Sequence, residues 1–64
     1  MWTTIYMAIG LENAEIIERK LKEEGFLVKI RYFSLEGEEE LYEILAPEFE
    51  AEEVQEAMIE LGIM

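Results

Sequence analysis

Few kinds of side chain in this 64-residue chain could do chemistry. Histidine and cysteine are absent, and every one of the 16 acids is glutamate. That leaves no thiol nucleophile, no imidazole base and no His/Cys metal cage. Four groups remain. Lys29 and Arg31, at alternate positions of a β-branched and aromatic run, could hold a small anion or metabolite. Glu38, Glu39 and Glu40 could hold a hard cation. Ser34 offers a hydroxyl, and Trp2, Tyr6 and Phe33 offer rings on which a base could stack.

Each group also has a plainer explanation. Adjacent carboxylates in a loop are usually solvated, and Glu38 to Glu40 lack the Asp-rich spacing of a calcium loop. Ser34 has no base to activate it. Gly10-Leu11-Glu12 lacks the further glycines and the Lys-Ser/Thr ending of a phosphate loop. Paired-carboxylate catalysis needs two acids converging in a pocket, and so small a domain has little room for one. The sequence therefore predicts no enzyme, no cofactor and no metal.

Charge is divided unevenly. Residues 1 to 31 hold five acids and five bases, whereas residues 32 to 64 hold eleven acids and no base, which accounts for the whole net charge of −11. Such a field repels phosphate backbones and makes nucleic acid an unfavourable partner, while it would favour a basic protein partner. The glutamates at 48, 50, 52, 53, 56 and 60 read either as a docking stripe for that partner or as a solvated face that maintains solubility. No export signal or membrane span is visible, and the cytoplasm is the expected location.

These side chains must be positioned by elements that the periodicity predicts. Trp2 to Ile9 reads as a strand and Leu11 to Glu24 as a helix, with Ala14, Ile17 and Leu21 on its apolar line. Glu15–Arg19 and Glu18–Lys22 are spaced for ion pairs along it. Gly25 suits a left-handed cap at its end. Phe26 to Phe33 reads as a second strand, Ser34 to Glu39 as a hairpin connection and Glu40 to Ala46 as a third strand. Pro47 then opens a helix over Glu48 to Leu61, with Ala51, Val54, Met58 and Leu61 inward and Gly62 at its end. Ile63 and Met64 either fold back on that helix or add a short edge strand. The order is βαββα in a single domain. It predicts an α+β two-layer sandwich, a ferredoxin-like plait lacking its last strand.

Simple alternation places Ile5, Met7, Val28, Ile30, Tyr32, Tyr42 and Ile44 beneath the helices. The opposite side then collects Trp2, Thr4, Tyr6, Ala8, Leu27, Lys29, Arg31, Phe33, Leu41, Glu43 and Leu45, and an even hairpin register lets Glu43 meet Lys29 or Arg31. No helix is left to cover that side, and an apolar patch of this size marks an interaction site. Face-to-face homodimerisation is the leading expectation, through Trp2, Tyr6, Leu27, Phe33, Leu41 and Leu45. Binding of single-stranded RNA is a further alternative, opposed by the charge and by the missing glycine-aromatic signature.

Three stretches carry a family resemblance: Trp2-Thr3-Thr4-Ile5-Tyr6-Met7-Ala8, the run Leu21-Lys22-Glu23-Glu24-Gly25-Phe26-Leu27-Val28-Lys29-Ile30-Arg31, and Tyr42-Glu43-Ile44-Leu45-Ala46-Pro47-Glu48. In these the chain resembles a group of short bacterial proteins labelled as signal-transducing, a domain of unknown function. The resemblance implies a plait-like βαββα domain and brings no catalytic residue. The extreme acidity and the ending Gly62-Ile63-Met64 depart from that group.

Overall fold

The computed structural model describes residues 1 to 64. The order is β1 (Trp2–Ile9), α1 (Leu11–Glu23), β2 (Lys29–Glu36), β3 (Glu39–Pro47), a single 3-10 turn (Glu48–Glu50) and α2 (Ala51–Glu60). Both β1 and β2 run antiparallel to β3, which lies between them in the order β1-β3-β2. The outer strands are thus parallel to each other. This is the ferredoxin-like βαββα plait without a final strand.

Gly25, at φ 92, ends α1 as the sequence predicts: its own N–H bonds to the Lys22 carbonyl and that of Phe26 to the Leu21 carbonyl. This pair of reversed bonds satisfies carbonyls that the helix end would otherwise leave open. Phe26, Leu27 and Val28 then cross from the helix layer to the sheet unpaired, so β2 begins at Lys29 rather than Phe26. At its other end β2 runs on to Glu36, because the hairpin needs only Gly37 and Glu38 as its turn. Gly37, at φ 65 and followed by a residue of negative φ, occupies the first central position of a two-residue turn, where glycine costs nothing.

Pro47 differs from expectation. It is the last residue of β3, opposite Trp2, and the helical turn starts after it. At the chain's end the Ile63 N–H bonds to the Met58 carbonyl and the Ile63 side chain packs on the core, so the tail folds back rather than adding a strand.

Helix α1 lies over all three strands and α2 over β1 and β3, all on one side of the sheet. The core between the layers holds Ile5, Ala8, Ala14, Ile17, Leu21, Val28, Ile44, Ala46, Val54 and Met58. Fully burying each large aliphatic side chain there stabilises the fold by roughly 1.5–3 kcal/mol.

Two bulges set which side chains face the helices. In β1 the register shifts at Ile5, since Thr4 lies opposite Leu45 and Tyr6 opposite Ile44. In β2 it shifts at Phe33, since Tyr32 lies opposite Tyr42 and Ser34 opposite Leu41. An extra residue reverses the alternation beyond it. Tyr6 and Ala8 therefore turn to the helix side and Met7 and Ile9 to the open side, which corrects the simple alternation for Tyr6, Met7 and Ala8. The inserted Ile5 is buried, and its carbonyl accepts a hydrogen bond from Gln55 Nε2 of α2 at 3.1 Å.

Candidate functional site: the open side of the sheet

Cross-strand neighbours share a side of a sheet, so the register assigns the uncovered one. It carries Trp2, Thr4, Met7 and Ile9 from β1 and Leu41, Glu43 and Leu45 from β3. From β2 come Lys29 and Arg31, then Phe33 at its bulge and Ser34 beyond it.

Its centre is polar. Arg31 lies directly opposite Glu43, and the pair meets at 3.2 Å. Arg31 Nη2 reaches both carboxylate oxygens and Nε reaches one, so the fork grips the carboxylate. From β1, the Thr4 hydroxyl donates to the other side of the same group. Three strands thus contribute one side chain each. Glu43 is nearly buried, whereas Arg31 keeps most of its side chain in water. The Thr4 hydroxyl foremost, and Arg31 next, hold the Glu43 carboxyl below its ordinary pKa, against the opposing effect of burial.

On one flank, Lys29 Nζ stands 4.2 Å from the centre of the Trp2 ring. The two residues belong to the outer strands, so their contact spans β3, and Leu45 between them is only 2% exposed. On the other flank Met7, Ile9 and Phe33 stand exposed around half-buried Leu41. Ser34 beside them holds a buried Oγ with no hydrogen-bond partner.

Of the residues expected at the interface, Trp2, Phe33 and Leu41 reach the open side. Tyr6 does not, because the Ile5 bulge turns it onto the core. Leu45 lies on that side but is already covered. Leu27 is exposed yet precedes β2 and stands outside the sheet. Met7, Ile9 and the Thr4–Glu43 link escape sequence reasoning, since no residue type marks the bulge that creates them. The proposed anion ligands Lys29 and Arg31 both have partners within the chain. The surface has no pocket, and no three carboxylates converge.

Elsewhere the chemistry is sparse. Glu18 and Lys22 pair at 3.3 Å on α1, whereas Glu15 and Arg19 form no bridge. Tyr32 and Tyr42 meet edge-to-face at 5.6 Å on the helix side. Burial, and then the Glu40 carboxylate, push the Tyr42 phenol above its ordinary pKa. No helix is long and apolar enough to cross a membrane.

The fold and this face define a small α+β plait with one uncovered side. Among known proteins, no family description, no curated protein and no solved structure matches the chain.

Proposed function

We propose that the protein is a small non-enzymatic module that associates with a second copy through the open side of its sheet. The observation that supports this is where the glutamates lie. Across the span from Trp2 to Leu41 the open side carries one of the 16, Glu43, and that one is neutralised by Arg31. Glu36 and Glu39, opposite each other at the hairpin tip, mark its outer limit. Two copies of so acidic a chain repel over most of their surfaces, whereas within this span no uncompensated glutamate meets the partner and Lys29, set against the Trp2 ring, is the one charge left.

The setting we propose is regulatory and cytoplasmic, and the likeness to the bacterial signal-transducing group belongs to the same proposal. A basic partner would then bind the outer surface of α2, where Glu52, Glu53, Glu56 and Glu60 are exposed and the exposed ring of Phe49 precedes the helix. A small anion at Lys29 and Arg31 ranks second, because it would have to displace Glu43 from Arg31 and the Trp2 ring from Lys29.

The test is sedimentation velocity over a wide concentration range on the wild type and on Phe33→Glu. The expected result is association by the wild type that the substitution weakens at least tenfold. A wild type that stays at the 7.5 kDa monomer at high concentration would end the homodimer reading.

A further inference from the structure

The longest stretch without a charged side chain is residues 1 to 11, in a chain of which 33% is charged. It contains the whole of β1, and β1 is an edge strand: β3 pairs with one side of it and nothing pairs with the other. No backbone hydrogen bond outside the ladder involves Trp2 to Ile9, and Gln55 is the one side chain that bonds to their backbone. Free edges are normally guarded by charge, proline or a helix. The opposite edge follows that rule, since β2 carries Lys29, Arg31 and Glu36. β1 has neither charge nor proline.

We propose that the free edge of β1 pairs with β1 of a second copy, antiparallel about a two-fold axis, to form one six-stranded sheet. The position beside β1 is the one a plait's final strand fills, running antiparallel to β1. A two-fold axis perpendicular to the sheet gives that direction automatically, since residue i of one copy then meets residue j of the other and j meets i. Composition selects β1 over β2. Pairing β2 with itself would draw Lys29, Arg31 and Glu36 out of water into a new strand contact, whereas β1 has no charged side chain to desolvate.

Area gives the contact a purpose. Three strands about 4.8 Å apart and eight residues long at about 3.3 Å each present roughly 380 Å² in projection. A standard interface takes about 800 Å² from each partner. An axis perpendicular to the sheet keeps both helix layers on one side and joins the two open faces into one floor of roughly 750 Å². Stacking two such floors would close a tetramer of two edge-paired dimers. That last step rests on the open-face reading above, whereas the edge contact rests on β1 alone.

The experiment mixes isotope-labelled with unlabelled protein and records intermolecular backbone contacts by filtered NOE, alongside sedimentation. Expected are contacts between β1 and β1 of the other chain, retained in Phe33→Glu while the tetramer falls to a dimer. Thr3→Lys, which adds an edge charge at a half-exposed position, should weaken those contacts at least tenfold. No β1-to-β1 contact at millimolar wild type, or contacts along β2 instead, would overturn the proposal. A monomeric Phe33→Glu beside an associating wild type would overturn the edge contact and leave the face reading standing. An edge dimer indifferent to Phe33→Glu would do the reverse.

Discussion

Arg31 and Glu43 face each other across β2 and β3 on the side of the sheet that no helix covers, and the guanidinium holds the carboxylate at 3.2 Å. Thr4 closes the arrangement from β1, so a single carboxylate ties all three strands together where the hydrophobic layer cannot. The pair also neutralises the one acid that would otherwise charge the middle of the face.

The pH dependence follows from the direction of the Glu43 shift. A carboxyl whose folded pKa lies below its unfolded value stabilises the fold above the unfolded value, here near 4.5, and that contribution is lost as pH falls through the lower folded value. The other glutamates lose charge in the same range and relieve repulsion, so the useful quantity is the difference from Glu43→Gln. Thermal unfolding of the two proteins should show the wild type's advantage shrinking as pH falls below the ordinary carboxylate range. A difference that stays constant into that acid range would contradict the linkage. In Thr4→Val, Glu43 should titrate nearer its ordinary value, as read by carboxyl-carbon NMR.

Gln55 and Ser34 form a matched pair of opposite sign. Gln55 satisfies the carbonyl of the β1 bulge, and Gln55→Ala should cost about 0.5–1.5 kcal/mol in chemical denaturation. The buried Ser34 hydroxyl has no partner, so Ser34→Ala should stabilise the fold by about 1 kcal/mol. A neutral Gln55→Ala or a destabilising Ser34→Ala would contradict these assignments.

At the hairpin tip Glu36 stands directly opposite Glu39. Replacing one by the opposite charge, as in Glu39→Lys, should stabilise the protein by about 0.2–1 kcal/mol, with the gain shrinking in high salt. Urea denaturation at two ionic strengths checks both the sign and the screening.

Leu21 of α1 and Ile44 of β3 belong to the same core and are wholly buried. Either residue changed to alanine should cost about 2–5 kcal/mol. A domain of this length has roughly 3–10 kcal/mol of stability in all, so each variant should be largely unfolded at moderate temperature by circular dichroism. A cooperative transition within a few degrees of the wild type would show that the cavity refills.

The element order was legible in the sequence because its signals were local. Ala14, Ile17 and Leu21 announced α1 and Gly25 ended it, whereas Glu43, expected opposite Lys29 or Arg31, meets Arg31 because the Phe33 bulge shifts the register that the two-residue turn sets. The composition of the open side was less legible, since it depends on two single-residue insertions in the ladders. Ile5 and Phe33 are ordinary strand residues, and only the pairing with β3 makes them bulges. That is why Tyr6 exchanged places with Met7. Leu27 misled for a different reason: Phe26 to Val28 have strand-like side chains but serve as the crossing from one layer to the other. Leu45 was hidden by the contact of Trp2 with Lys29, which links residues far apart in the chain.

The central place of β3 also has a consequence for synthesis. β1 leaves the ribosome well before β3 and has no other strand of its chain to pair with, because β2 forms no ladder with it. The 38 residues from the end of β1 at Ile9 to the end of β3 at Pro47 take about 2–8 s to translate at roughly 5–20 residues per second. For that interval the uncharged opening segment waits without a ladder partner, with the amphipathic α1 and the non-adjacent β2 made after it. A nascent chain stalled before Glu39 should therefore be the form of this protein that a chaperone binds best.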